Sequence, residues 1–191
     1  MNSGRIKFLL IVFIFTVPFV ISYYLSKDYH AGGELQTSNY GSFINPIVEL
    51  SQTNFDDYSG ENFNVNKHLT KWSLIYRMPK NCLQRCSDEI YLIRQVNIAL
   101  GKDMNRLERV IVLNQTMISS EVDDVVVKYP KAIVVKNNSS TFINEINKIT
   151  KRHVLLLTDP LGNVILGYDE GFEGKKLLKD IKKLLKLSKI G

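Results

Sequence analysis

Two cysteines, the only two in the 191-residue chain, stand four positions apart in Cys82-Leu-Gln-Arg-Cys86. They follow an apolar, strand-like run, Trp72-Ser-Leu-Ile-Tyr76, and precede a helical pattern, which puts them at a strand-to-helix junction. A thiol at a helix N-terminus faces the positive end of the dipole and unpaired N–H groups. That setting favours thiolate, and with it both nucleophilicity and metal binding. Arg85, between the two, adds positive charge in the same direction. Outside the cytoplasm such a pair can also be oxidised to a disulfide. A purely structural bridge is the competing reading, and a weak one, because closing so short a loop removes little entropy from the unfolded chain.

His153 is the next candidate. It stands at the mouth of an apolar run, His153-Val-Leu-Leu-Leu157, that belongs in the central sheet. A histidine there is ordinarily just a strand-end residue, yet strand ends near a strand-to-helix loop are where α/β sheets build sites. Two thiolates and one imidazole form a soft donor set suited to Cu(I) or Cu(II), not to calcium or magnesium. Zinc would require a fourth ligand that the sequence does not offer. His30 and His68 have weaker claims, one in a spacer and one ahead of the first core strand. No phosphate-binding glycine loop, Gly-x-Ser-x-Gly or His-Glu-x-x-His occurs. Asp159 belongs to a turn and takes no catalytic role.

The elements that must position these residues follow from periodicity. Ser87 is a suitable N-cap, with Asp88 and Glu89 in the first turn and Ile90, Leu92, Ile93, Val96 and Leu100 forming a helix that stops at Gly101. Arg109 to Leu113 predicts a buried strand, Glu121 to Tyr129 a short helix, Ala132 to Val135 another strand and Thr141 to Thr150 a helix. Val164 to Tyr168 pairs back on His153 to Leu157 across Asp159-Pro-Leu-Gly-Asn163, a hairpin by its Pro and Gly. A smaller hairpin centres on Asp57-Tyr-Ser-Gly60. Alternating strands and helices that end in a hairpin and a helix predict an α/β single domain of thioredoxin-like order, a central mixed sheet flanked by helices.

An uncharged run of 19 residues, Phe8 to Ser26, precedes all of this. As a helix it rises roughly 28 Å against a hydrocarbon core of about 30 Å, so it can span a membrane. A cleaved signal would have a shorter apolar stretch and an Ala-x-Ala-like site, and neither is present. The expected organisation is therefore an anchor segment over residues 1–27, a Ser-, Asn- and Gly-rich spacer over 28–50 and the domain over 51–191. Arg5 and Lys7 favour the inner side, which places the domain outside the cytoplasm.

The net charge of +6 is local: seven lysines and one aspartate lie between Lys175 and Gly191, and the rest of the chain holds 18 basic and 18 acidic residues. A nucleic-acid partner is therefore not expected. The terminal segment reads as an amphipathic helix. The default reading has it docked on the core with a solvated lysine face; a sharper one has the lysines touching anionic lipid headgroups.

The hairpin Asn54 to Phe63, the strand Trp72 to Tyr76, Cys82-Leu-Gln-Arg-Cys86 and the late His153 together resemble the Sco/SenC group of thioredoxin-like proteins over about residues 40 to 190. Arg94-Gln-Val-Asn-Ile-Ala-Leu-Gly-Lys102, Thr158-Asp-Pro-Leu-Gly-Asn163 and Leu185-Lys-Leu-Ser-Lys-Ile-Gly191 are similar to small bacterial membrane-anchored proteins associated with cytochrome c oxidase assembly. The resemblance implies copper held by Cys82, Cys86 and His153, a respiratory oxidase subunit as partner, and a single-pass protein of the inner membrane with its domain in the periplasm. The chain departs from the family pattern at Ser87, where a proline is usual, at Arg152, which precedes the histidine, and in a shorter interval between Cys86 and His153. A thiol-disulfide oxidoreductase with Cys82 and Cys86 as its redox pair and a thiol redox partner stands as the alternative, and a non-catalytic assembly adaptor as a third.

Overall fold

The structure is a computed structural model, which describes residues 3–30, 38–79, 83–113, 119–137, 140–149, 153–188 and 190. Two units separate, residues 1–38 and 39–191. The first contains helix α1 (Ser3–His30), of which Ser3–Lys27 is long and apolar enough to cross a membrane.

The second unit is built on six strands: β1 (Ser42–Glu49), β4 (Trp72–Arg77), β5 (Leu107–Val112), β6 (Ile133–Val135), β7 (Leu155–Thr158) and β8 (Asn163–Tyr168). Their order across the sheet is β1-β8-β7-β4-β5-β6. β4, β5 and β6 run parallel, while β7, β8 and β1 pair antiparallel. The sheet is therefore mixed, as expected. Its central strands are apolar at nearly every position because both faces are covered.

The pleat sends alternate residues to two cores. Leu74, Tyr76, Leu155 and Leu157 meet helices α3 (Leu83–Ala99) and α6 (Gly174–Leu187) through Ile90, Ile93, Leu177 and Ile181. Ile75, Val110, Val112 and Leu156 face the other way, toward Phe142, Ile143 and Ile146 of α5 (Thr141–Ile149) and toward Phe55. Phe55 belongs to a separate hairpin of β2 (Asn54–Asp56) and β3 (Asn62–Asn64), turned at Gly60 where φ is +91°. A short helix α2 (Val65–His68) follows it, and α4 (Ser119–Lys128) lies between β5 and β6. A cavity of about 410 Å³ opens between the hairpin and the β6 edge, lined by Phe55, Phe63, Val126 and Ile133; none of its lining residues belongs to β4, α3 or β7.

Three local expectations differ from what is observed. The helix after the cysteines starts at Leu83, so Ser87 lies inside it and is not its N-cap; Leu83, Gln84 and Arg85 are good helix formers and extend it by a turn. The apolar patch in the stretch read as spacer forms edge strand β1, with Phe43 opposite Leu166 and Val48 opposite Val164, because Ile44 there completes the core. His153 stands just ahead of its strand: Val154 makes the first ladder bonds, its N–H to the Tyr168 carbonyl and its carbonyl from the Arg77 N–H, each at 2.9 Å.

Candidate thiol and metal site

Strand β4 ends at Arg77, and α3 rises from the same end of the sheet with Cys86 as its fourth residue. Cys86 is thus held in the first turn, beside the unpaired N–H groups that the spacing implied. It is buried and disulfide-bonded. Cys82, the chain's other cysteine, lies outside the described residues.

The Cys86 sulfur rests against the Tyr76 hydroxyl, Oη to Sγ 3.0 Å. That hydroxyl also donates to Glu89 Oε2 at 2.6 Å. Glu89 is buried, and its second oxygen accepts from the Gly171 N–H at 2.8 Å. Burial, followed by the Glu89 hydrogen bond, pushes the Tyr76 hydroxyl far above the ordinary tyrosine range, so it is a protonated donor at any physiological pH. A buried carboxylate on helix α3 thereby fixes both the tyrosine behind the sulfur and the loop after β8.

That loop, Asp169-Glu170-Gly171, is the connecting piece. Asp169 Oδ1 meets His153 Nδ1 at 2.7 Å, Glu170 pairs with Arg85 at 2.9 Å, and Gly171 binds Glu89. Three consecutive residues therefore touch His153 on one side and the cysteine helix on the other. The His153 ring packs over Gly167, where an added Cβ would come within 2.6 Å of its Cγ and Cδ2 and 3.0 Å of Ile44. It lies on the face of the sheet that carries Ile44 and Leu156, whereas Cys86 packs against Tyr76 on the opposite face. Among the described residues, the loop links the two across the sheet's end. Among the described residues no three His, Cys, Asp or Glu side chains are grouped closely enough to hold a metal ion.

The donor chemistry nonetheless fits a soft metal. With Nδ1 engaged by a carboxylate, Nε2 is the ring nitrogen left for coordination, the usual arrangement behind a metal-bound imidazole. Sequence reasoning proposes Cys82, Cys86 and His153 by residue type. It did not find Tyr76, Asp169 or Glu170 as parts of the site, and it gave Glu89 only a helix-end role; no spacing rule links a strand tyrosine, a helix glutamate and a loop 80 residues on.

Residues 72–188 match the family model described as the transmembrane-like, thioredoxin-like, C-terminal domain. The chain belongs to this family. The thioredoxin-like match runs from β4 through α6 and so includes both cysteines and His153. No curated protein matches the chain in sequence. Among solved structures, yeast Sco1 superposes with a TM-score of 0.58 at 19% identity, covering 78% of this chain and 100% of that one. Arabidopsis thaliana ScoI with copper bound gives 0.57 at 13% identity, covering 73% and 99%. MTB dsbF in its mixed oxidized and reduced forms gives 0.53 at 18% identity, covering 71% and 96%. These likenesses establish the thioredoxin-like fold, as the sequence predicted.

Proposed function

We propose that this chain is a membrane-anchored factor that binds copper through Cys82, Cys86 and His153 and supplies it during assembly of a respiratory cytochrome c oxidase. Helix α1 anchors it in the bacterial inner membrane, and the positive residues ahead of that helix put the thioredoxin-like domain in the periplasm. The observation that carries the reading is the hold of Asp169 on His153 Nδ1, in a loop that also clasps the cysteine helix through Arg85 and Glu89. Any buried imidazole needs such a partner, but this one fixes Nδ1 and leaves Nε2 as the nitrogen that would coordinate. The superposable Sco structures crystallised with copper support the same reading.

Copper is cargo here. A partner dithiol that leaves as a disulfide would supply the two electrons and two protons that reduce the disulfide of Cys86 to two thiols; loss of those protons gives the thiolates that, with the imidazole, favour Cu(I). The buried Tyr76–Glu89 pair backs the Cys86 sulfur in its disulfide state. Anaerobic titration of the reduced full chain in detergent micelles with Cu(I), in competition with a chromophoric chelator, tests the proposal. One tightly bound equivalent is expected, and equal binding by the Cys82→Ser/Cys86→Ser variant would overturn it. Unchanged affinity in His153→Ala would remove the third ligand alone.

The disulfide at Cys86 favours one second reading, thiol-disulfide exchange with a periplasmic partner. There the Cys82 thiolate would attack a partner disulfide, releasing one partner thiolate and forming a mixed disulfide; the Cys86 thiolate would then attack Cys82 and release the second. The three intervening residues count against it, since such enzymes commonly use Cys-x-x-Cys. A reduction potential as low as that of a structural disulfide, with no exchange with glutathione, would exclude it.

A further inference from the structure

The lysines of α6 form a single stripe. Lys175, Lys176, Lys179, Lys182, Lys183 and Lys186 are all exposed, and the helix's one carboxylate, Asp180, is buried. At about 100° per residue these six positions fall within an arc of about 120°, opposite Leu177, Ile181 and Leu185, which are sunk in the core. Of the acidic residues next to the stripe, Glu173 pairs with Lys176 at 2.5 Å. Six of the seven lysines behind the chain's excess charge are therefore gathered on one exposed helix face.

What singles this face out is where the tether arrives. Asp180 accepts from the N–H groups of Tyr40 and Gly41, each at 2.9 Å, and from the Tyr168 hydroxyl at 3.0 Å. Gly41 is required there, since a Cβ would sit 2.7 Å from the Tyr168 ring. On the outer side, Lys176 and Lys179 lie over the Tyr40 ring at 5.6 and 5.2 Å, and Lys183 donates to Asn39 at 3.2 Å. The residues that follow the tether are thus clamped along the lysine stripe. Lys27, where the apolar segment ends, and Asn39 are 12 residues apart in sequence, at most ~40 Å of chain. Lysines with an exposed tyrosine among them are the composition that anionic lipid interfaces attract.

We propose that the lysine face of α6, with Tyr40, docks on the anionic lipid surface of the membrane that carries the anchor. This inference rests on the reading of α1 as that anchor. Tethering makes even a weak surface affinity sufficient, because the second contact is intramolecular. The domain would then stand on α6, with the far edge of its sheet, β6, turned to solvent.

The test is lysine footprinting of the full chain in lipid nanodiscs. Acetylation by a neutral N-hydroxysuccinimide ester is followed residue by residue by mass spectrometry, in discs of phosphatidylcholine and in discs with roughly 30 mol % phosphatidylglycerol. Lys175, Lys179, Lys182 and Lys186 should label at least about threefold more slowly in the anionic discs, and about 0.5 M salt should restore the rate. Lys131 and Lys136, at the β6 edge, should label equally in both. Lys175→Gln/Lys182→Gln/Lys186→Gln, all on exposed positions, should abolish the lipid dependence at Lys179 while leaving the melting temperature unchanged. Equal labelling in the two discs overturns the inference alone, including in favour of an acidic protein partner; failure of the chain to incorporate into either disc overturns the anchor reading and this inference with it.

Discussion

Replacing Glu89 by alanine should cost far more than its single position suggests. Its carboxylate is 5% exposed and accepts two hydrogen bonds, from Tyr76 Oη and the Gly171 N–H. Bonds to a charged acceptor contribute about 1.5–3 kcal/mol each, so about 3–6 kcal/mol is at stake. Removing the carboxylate also removes the cost of keeping it out of water, which brings the expected loss to about 3 kcal/mol, against a total stability of about 5–15 kcal/mol for a domain. Arg85→Ala breaks the other link between the same helix and the same loop, but that ion pair is 52% and 43% exposed on its two sides and should cost under about 1 kcal/mol. Urea unfolding of the full chain in micelles, followed by fluorescence of Trp72, measures both. With a slope of roughly 2 kcal/mol per molar, Glu89→Ala should lower the midpoint by about 1.5 M and Arg85→Ala by less than about 0.5 M. Equal shifts would refute the claim that burial, not charge, makes the loop's hold on the cysteine helix.

Gly167→Ala should displace the His153 ring, because the new methyl would meet Cγ and Cδ2 at 2.6 Å; a loss of about 1–3 kcal/mol in stability is expected, with a change in the His153 ring chemical shifts that a substitution at exposed Gly4 should not produce. Alkaline pH should unfold the domain. Burial and carboxylate partners hold the Tyr76 and Tyr168 hydroxyls far above their ordinary range, so the folded state keeps protons that the unfolded chain loses above about pH 10. Stability should be flat up to that pH and fall beyond it, and the phenolate absorbance of these two residues should appear only with unfolding; gradual titration of both in the folded protein would contradict the assignment.

The fold was legible because its signals are periodic. Apolar runs such as Val110-Ile-Val112 and Leu155-Leu-Leu157 are strands covered on both faces, and the alternation of Leu177, Ile181 and Leu185 with lysines dictates a docked helix. Boundaries were less so. Ser87 has the chemistry of a helix cap, but the helix formers ahead of it carry the helix past, and Phe43 to Val48 looks polar-flanked and loop-like until Ile44 is seen to close the core beside β8. At the site, type and spacing pointed to the cysteine loop and the histidine, whereas the groups that hold them come from β4, α3 and the loop after β8. Tyr76 is an ordinary strand tyrosine in sequence; only the sheet's register and the packing of α3 bring its hydroxyl to Cys86 and Glu89. Asp169 reaches His153 because β7 and β8 pair antiparallel, which returns residues 16 apart in sequence to one end of the sheet.

The most direct test is X-ray absorption at the copper edge on the reduced, Cu(I)-loaded full chain. Sulfur scatterers together with one nitrogen scatterer are predicted, the nitrogen disappearing in His153→Ala and the sulfurs in Cys82→Ser/Cys86→Ser. A spectrum of nitrogen and oxygen scatterers alone, unchanged by the cysteine substitutions, would contradict copper binding at this site.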